Sequence, residues 1–187
     1  MTEEQRDLRD AVRSLLARTE PDAVWPRLCG EVGAAGLAIP ERYGGAGAGA
    51  AETGVVMEEL GRDLTPSPML GSAVLAAQAL LATGDAQACG RLLPAIADGS
   101  ATAALAWTTR AGRWDSGEVG CASRPAGRGA WELEGEAHYV LDGATADVLL
   151  VAARGPAGAG ADRRVHAEQG AVRPGHRELP GPAAPAG

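Results

Sequence analysis

The sequence predicts a multidomain chain of α and β type. An N-terminal all-α helical domain occupies residues 1–100, a partial middle β domain 101–154, and a patternless tail 155–187. Three observations predict this. Segments with one apolar stripe at helical spacing, several with caps, recur up to Asp98-Gly99. Short apolar or alternating runs replace them from about Ala101. Beyond Arg154, Gly, Pro, Ala and Arg dominate without a period of 2 or 3.6, so the segment buries too little to offset its ordering entropy and is expected to be disordered.

The first helix spans 2–18. Thr2 and Gln5 form a capping box, and Leu8, Val12, Leu15 and Leu16 make its stripe. A second runs from Asp22 to Val32, with Pro26 in its first turn and Trp25, Leu28 and Val32 facing inward. Gly33 and Gly36 stop it. Leu37 to Pro40 is too short and too proline-bounded for a helix and is expected to be extended. Tyr43 to Gly49 is a glycine-rich turn. Ala51 to Leu60 is helical again, with Gly61 just past its end. Leu70 to Thr83 is apolar on most sides and reads as a buried central helix. Gly84 ends it and Asp85 caps the next helix, which carries Ala88, Leu92, Leu93 and Ile96. In the β region, Ala103 to Trp107, Trp131 to Glu134 and Val148 to Val151 read as strands, and Tyr139-Val140-Leu141 precedes the turn Asp142-Gly143.

Composition excludes several functions. The 17 basic residues are all Arg, yet the net charge is −7, so there is no cationic footprint for nucleic acid. No apolar run reaches the roughly 18 residues of a membrane span, and Met1 to Arg18 lacks the apolar core of a secretion signal. A soluble cytoplasmic protein is expected. Cys29, Cys89 and Cys121 are far apart and without CxxC spacing, so idle thiols are expected instead of a disulfide framework or a zinc site. The glycines from Gly44 to Gly49 have neither a following Lys-Ser/Thr nor G-x-G-x-x-G spacing, so they form a turn, not a phosphate cradle. Glu58 and Glu59 are adjacent and point to different parts of a helix surface. His138, His166 and His176 accompany no nucleophile elbow. The residues alone announce no reaction.

Their order, however, resembles the front part of the acyl-CoA dehydrogenase family. Trp25 leads to Gly33 and Gly36. Then come Ile39-Pro40-Glu41-Arg42-Tyr43-Gly44-Gly45-Ala46-Gly47 and Val55-Val56-Met57-Glu58-Glu59-Leu60-Gly61-Arg62. Gly84, Leu93-Pro94, Ile96-Ala97-Asp98-Gly99 and Ala104-Leu105-Ala106 follow. Tyr139 to Gly143, Ala146-Asp147 and Val148 to Arg154 are similar to the family's middle-domain strands. The resemblance covers about 1–154. It implies a helical domain, an incomplete β-barrel and a C-terminal four-helix bundle that is absent here. It implies an FAD enzyme that oxidises the Cα–Cβ bond of an acyl-CoA, with a carboxylate taking the α-proton and the flavin accepting the hydride. The family's Glu base lies in the bundle, so the resemblance assigns this chain no catalytic residue, and it assigns no metal.

By the same resemblance the cofactor contacts are Thr108, Thr109, Tyr139 and Leu141. The family's Thr-Glu-Pro-x-x-Gly-Ser-Asp becomes Thr108-Thr109-Arg110-Ala111-Gly112-Arg113-Trp114-Asp115, and its Trp-Ile-Thr-Asn-Gly becomes Tyr139-Val140-Leu141-Asp142-Gly143. Tyr139 keeps an aromatic face for the isoalloxazine, whereas Leu141 has no donor to offer. A homo- or hetero-oligomeric full-length form is implied. The tail composition is what a GC-rich gene gives when read out of frame, so a truncated or frameshifted product, inactive alone, is expected. The alternative is a non-catalytic subunit pairing with a fuller dehydrogenase.

Overall fold

The computed structural model describes residues 1–113, 118–127 and 130–155, and the backbone of 163–169. Helix α1 (Glu3–Leu16) starts at the expected box: the Thr2 hydroxyl accepts from the Gln5 amide, and the Gln5 side chain accepts from the Thr2 amide. Helix α2 (Pro21–Arg27) begins on its proline and widens into a π-helical stretch, Leu28–Val32. Pro26 therefore lies inside the helix and not in the first turn. It removes an N–H there, and the ladder loosens into wider turns just beyond it. Gly33, at φ 70°, closes the stretch.

Leu37 to Ile39 turn sharply instead of extending. The Ile39 amide donates to Gly36, and Ala46, Gly47 and Ala48 donate to Gly36, Ile39 and Leu37, so the 36–48 loop is stitched by its own backbone. Gly45 lies so deep in it that a Cβ would sit 2.0 Å from the Ile39 carbonyl oxygen. This close approach explains the Gly44-Gly45 pair physically: Gly44 supplies φ 85° and Gly45 supplies absence of bulk.

Helix α3 (Ala50–Arg62) runs past Gly61, which is inside the helix. Its first turn is tied to α1: the Glu52 carboxylate accepts from the Gly49 amide and from Gln5. Another π-helical stretch, Met69–Ala76, continues into α4 (Ala77–Ala82). Helix α5 (Ala86–Ala97) starts where Asp85 accepts from the Gln87 and Ala88 amides.

Strands β1 (Ala103–Ala106), β2 (Cys121–Gly127), β3 (Ala130–Gly135), β4 (Val148–Arg154) and β5 (Arg163–Gln169) form one sheet among the described residues. β1 pairs parallel with β4 from Ala103↔Val148 to Ala106↔Val151, and β2 pairs parallel with β4 at Cys121↔Ala153 and Ala122↔Arg154. β5 runs antiparallel to all of β4, so β1 and β2 share the opposite edge of β4 end to end. β2 and β3 form an antiparallel pair irregular beyond Pro125.

β5 falls where the sequence predicts disorder. The free edge of β4 offers a full row of backbone donors and acceptors, and pairing with it requires no apolar pattern. The rest of the predicted tail, 156–162 and 170–187, and also Trp114 and Asp115, lie outside the described residues.

Among the described residues three apolar cores result. The first joins α1, α2 and α3 around Val12, Leu15, Leu28 and Val56. The second joins Ile39, Leu80, Leu93 and Ile96 to Ala103, Val148 and Leu150 of the sheet. The third holds Ala106, Cys121, Val151 and Ala153, with Leu133, Val140 and Leu149 against them. Alternation along β4 explains the division: Val148 and Leu150 face the helices, whereas Leu149, Val151 and Ala153 face the other side. With apolar neighbours on both faces, the run Val148 to Val151 reads as continuously apolar.

Candidate functional site at the junction of the two regions

The sheet face turned away from the helices lines an open cavity of about 890 Å³, bounded by Ala106, Cys121, Leu133, Val140, Leu149 and Val151. A smaller one of about 330 Å³ lies among Thr53 and Met57 of α3, Ala48, and Leu70 and Val74 of the π-helical stretch. Between the sheet and the helices runs the 138–146 loop, and it carries two of the expected contact residues.

That loop is held at three places. At its start, the His138 amide donates to the Thr108 carbonyl over 2.9 Å, and the Thr108 hydroxyl donates back to the His138 carbonyl. At its end, the amides of Thr145 and Ala146 donate to the Asp142 carbonyl, and Asp147 accepts from both the amide and the hydroxyl of Thr102. In the middle, Tyr139 lies over Gly112 and its hydroxyl donates to Arg110 over 3.3 Å. Tyr139 and Asp142 adopt φ values of 55° and 56°. Such left-handed geometry in non-glycine residues persists only where the surroundings impose it.

The expected residues thus separate into two kinds. Tyr139 is 72% exposed and Leu141 45%, while Val140 between them turns into the larger cavity. Thr109 is half-buried and its carbonyl accepts from the Gly112 amide. Thr108 is only 7% exposed, and its hydroxyl is committed to His138. The junction can therefore pack against a planar ring through Tyr139 and Leu141. Side-chain hydrogen bonds to such a ring come from neither Thr108 nor Leu141, so the fit to a flavin here is one of packing.

Charged chemistry is concentrated elsewhere. Glu59 is 1% exposed and its carboxylate is gripped by Arg13 through Nε and Nη2 at 2.9 and 2.8 Å and by Arg62 at 3.1 Å. The Arg13 hydrogen bonds, with Arg62 behind them, pull its pKa down to about 2 against the opposing effect of burial. A carboxylate so occupied is a clamp between α1 and α3, not a proton acceptor. Burial raises all three thiols, Cys29 to about 11, so they are neutral and unreactive. No group of three or more metal-ligating side chains exists among the described residues, and no helix there is long and apolar enough to cross a membrane.

The chain is thus a helical domain joined through a shared core to a β region, with the exposed ring of Tyr139 at the seam. The acyl-CoA dehydrogenase N-terminal domain family matches residues 2–100, and the chain belongs to that family. Acyl-CoA dehydrogenase IpdE2 of Mycobacterium tuberculosis is 44% identical over 120 residues, covering 55% of this chain and 36% of that protein. Acyl-CoA dehydrogenase FadE12 of the same organism is 30% identical over 172 residues, covering 82% of this chain and 42% of its own.

Among solved structures, the Tcur3481-Tcur3483 steroid ACAD matches with a TM-score of 0.73 at 30% identity, covering 89% of this chain and 48% of that one. A Mycobacterium smegmatis glutaryl-CoA dehydrogenase in complex with FADH2 shares the fold, with a TM-score of 0.74 at 21% identity, covering 90% and 46%. The chain spans less than half the length of each of these relatives.

Proposed function

We propose that this chain contributes the helical and β walls of an FAD-dependent acyl-CoA dehydrogenase site that oxidises the Cα–Cβ bond of an acyl-CoA thioester. The observation that carries the reading is the junction loop: an exposed aromatic at left-handed φ, backed by Gly112, beside the seam of a domain of this family. When bound, FAD supplies the two-electron acceptor. Tyr139 and Leu141 pack against the ring system, and Thr109 lies beside them. The apolar cavity between α3 and the 69–76 stretch suits the aliphatic part of an acyl group. A steroid side-chain thioester is the proposed substrate, on the likeness to the Tcur3481-Tcur3483 steroid ACAD. A cytoplasmic location is part of the same proposal.

The base is proposed to come from the part of the full-length enzyme that the family resemblance places it in, and Glu59, the most buried carboxylate among the described residues, is fully engaged. The chain alone is therefore proposed to be inactive. A second reading, a non-catalytic subunit that pairs with a fuller dehydrogenase, draws support from the likeness to the ChsE4-ChsE5 complex of Mycobacterium tuberculosis, with a TM-score of 0.70 at 25% identity. Co-expression with a full-length family member tests both. The enzymatic reading expects a co-purified assembly that holds flavin, that steroid acyl-CoA bleaches, and that stops bleaching normally when Tyr139→Ala is introduced. Equal bleaching with and without Tyr139→Ala favours the non-catalytic subunit. An assembly that never holds flavin contradicts the FAD assignment.

A further inference from the structure

Tyr139 is an exposed aromatic residue on a loop, yet its backbone keeps a left-handed φ of 55°. An unrestrained loop would return such a residue to negative φ, so the peptide that enters it must be held. The carbonyl of His138 belongs to that peptide, and the Thr108 hydroxyl donates to it. The His138 amide in turn donates to the Thr108 carbonyl over 2.9 Å. Both backbone polar groups of His138 are therefore bonded to one residue. That residue is a firm base: Thr108 is 7% exposed and closely follows β1, whose Ala106 pairs with Val151 of β4. The hydrogen bond from the Tyr139 hydroxyl to the Arg110 carbonyl holds only the tip of an exposed side chain, so it does not set the backbone.

We infer that Thr108 is a positioning residue: its hydroxyl fixes the peptide that enters Tyr139, and so holds the left-handed φ from which the ring is presented. The coupling is covalent, since the bonded His138 carbonyl and the Tyr139 amide belong to one planar group. Rotation of that plane about the N–Cα bond of Tyr139 is φ itself. The resemblance implies that Thr108 touches the cofactor, whereas its hydroxyl is given to the protein's own backbone. Valine has the shape of threonine without the donor, and serine keeps the donor, so the two separate the hydroxyl from the packing. The benefit to a flavin rests on the proposed function, but the hold on Tyr139 does not.

The chain contains two tyrosines, Tyr43 and Tyr139, so tyrosine-selective ¹⁵N labelling of the full chain gives one backbone amide for each. A left-handed φ brings the amide proton close to its own Hα, so Tyr139 is expected to show a strong intraresidue nuclear Overhauser effect. Tyr43, in a 3-10 turn, is expected to show a weak one. Thr108→Val is expected to lose the strong effect at Tyr139 and leave Tyr43 unchanged. Thr108→Ser is expected to retain it, a distinction that a general loss of stability does not produce. A weak effect in the unsubstituted chain, an unchanged one in Thr108→Val, or an equal loss in Thr108→Ser overturns the inference. Should Thr108→Val fail to fold, as a displaced Tyr43 amide would show, Thr108→Ala at low temperature takes its place under the same outcomes. Flavin retention by the assembly co-expressed with a full-length family member reports separately, and is expected to drop several-fold in Thr108→Val but not in Thr108→Ser. An assembly that never holds flavin contradicts the proposed function while the Tyr139 result stands. Full retention in a Thr108→Val assembly that has lost the effect overturns the link from Thr108 to the flavin.

Discussion

The helical domain and the β region differ in how far each closes on itself. In residues 1–100, α1, α2 and α3 surround one core, and their ends are tied by capping bonds and by the Arg13–Glu59–Arg62 clamp. In residues 101–155, the third core is small, and the sheet face opposite the helices lines an open cavity of about 890 Å³. The family signature lies in the closed region, and the exposed groups with functional potential lie in the open one. A motif that identifies a lineage is thus a statement about folding: Pro40 to Gly47 makes a loop whose backbone hydrogen bonds turn inward on themselves.

The second core decides whether the two regions are separable. Leu150 is fully buried in it, from the sheet side, against residues of the helical domain. Leu150→Ala is expected to cost about 4 kcal/mol and to lower a single cooperative transition, measured by urea unfolding followed with both far-UV circular dichroism and tryptophan fluorescence. Two separated transitions in the unsubstituted chain would break the comparison, since the regions would then fold independently. Gly45→Ala addresses the helical side alone. The 2.0 Å approach to the Ile39 carbonyl forces the loop open, at about 3 kcal/mol by the same measurement. A loss under about 0.5 kcal/mol would show that the loop is slack.

Glu59→Gln comes next, at about 2 kcal/mol for charge-assisted bonds lost from a buried acceptor. The sign with pH follows from the lowered folded-state value. The carboxylate's contribution is complete above its ordinary pKa of 4.5 and disappears as pH falls through the folded value of about 2. Melting temperature should therefore fall between about pH 4.5 and 2 less steeply in Glu59→Gln than in the parent. Parallel profiles would remove the clamp from the account. Tyr139→Ala is expected to change stability least, within about 0.5 kcal/mol, because the ring is mostly exposed. A large loss there would mean that the ring is a structural prop.

Legibility in the sequence followed the same divide. Local chemistry was readable: the Thr2/Gln5 box, the Asp85 cap and the stops at Gly33 and Gly84 depend on neighbours in the chain. The π-helical stretches were not, because 3.6-residue spacing over eight positions barely differs from a wider coil. β2 carries little strand signal in the sequence, since Cys121–Gly127 contains Pro125 and ends on a glycine. Pro125 is tolerated there since, among the described residues, pairing with β4 ends at Ala122 and no ladder partner meets that side of Pro125. Three of the expected contact residues, Thr108, Thr109 and Tyr139, were brought to one loop junction, with Leu141 two residues on. That the Thr108 hydroxyl is committed to His138 depends on a contact thirty residues away and carries no signal in the sequence.

The chain belongs to the acyl-CoA dehydrogenase N-terminal domain family, and the proposal built on it is that the 138–146 loop packs against a flavin while the base is supplied elsewhere. A flavin absorbance spectrum of the purified chain, taken with added FAD and then with acyl-CoA, tests it most directly. The account predicts substoichiometric flavin and no bleaching by any acyl-CoA. Stoichiometric FAD that an acyl-CoA reduces would contradict it.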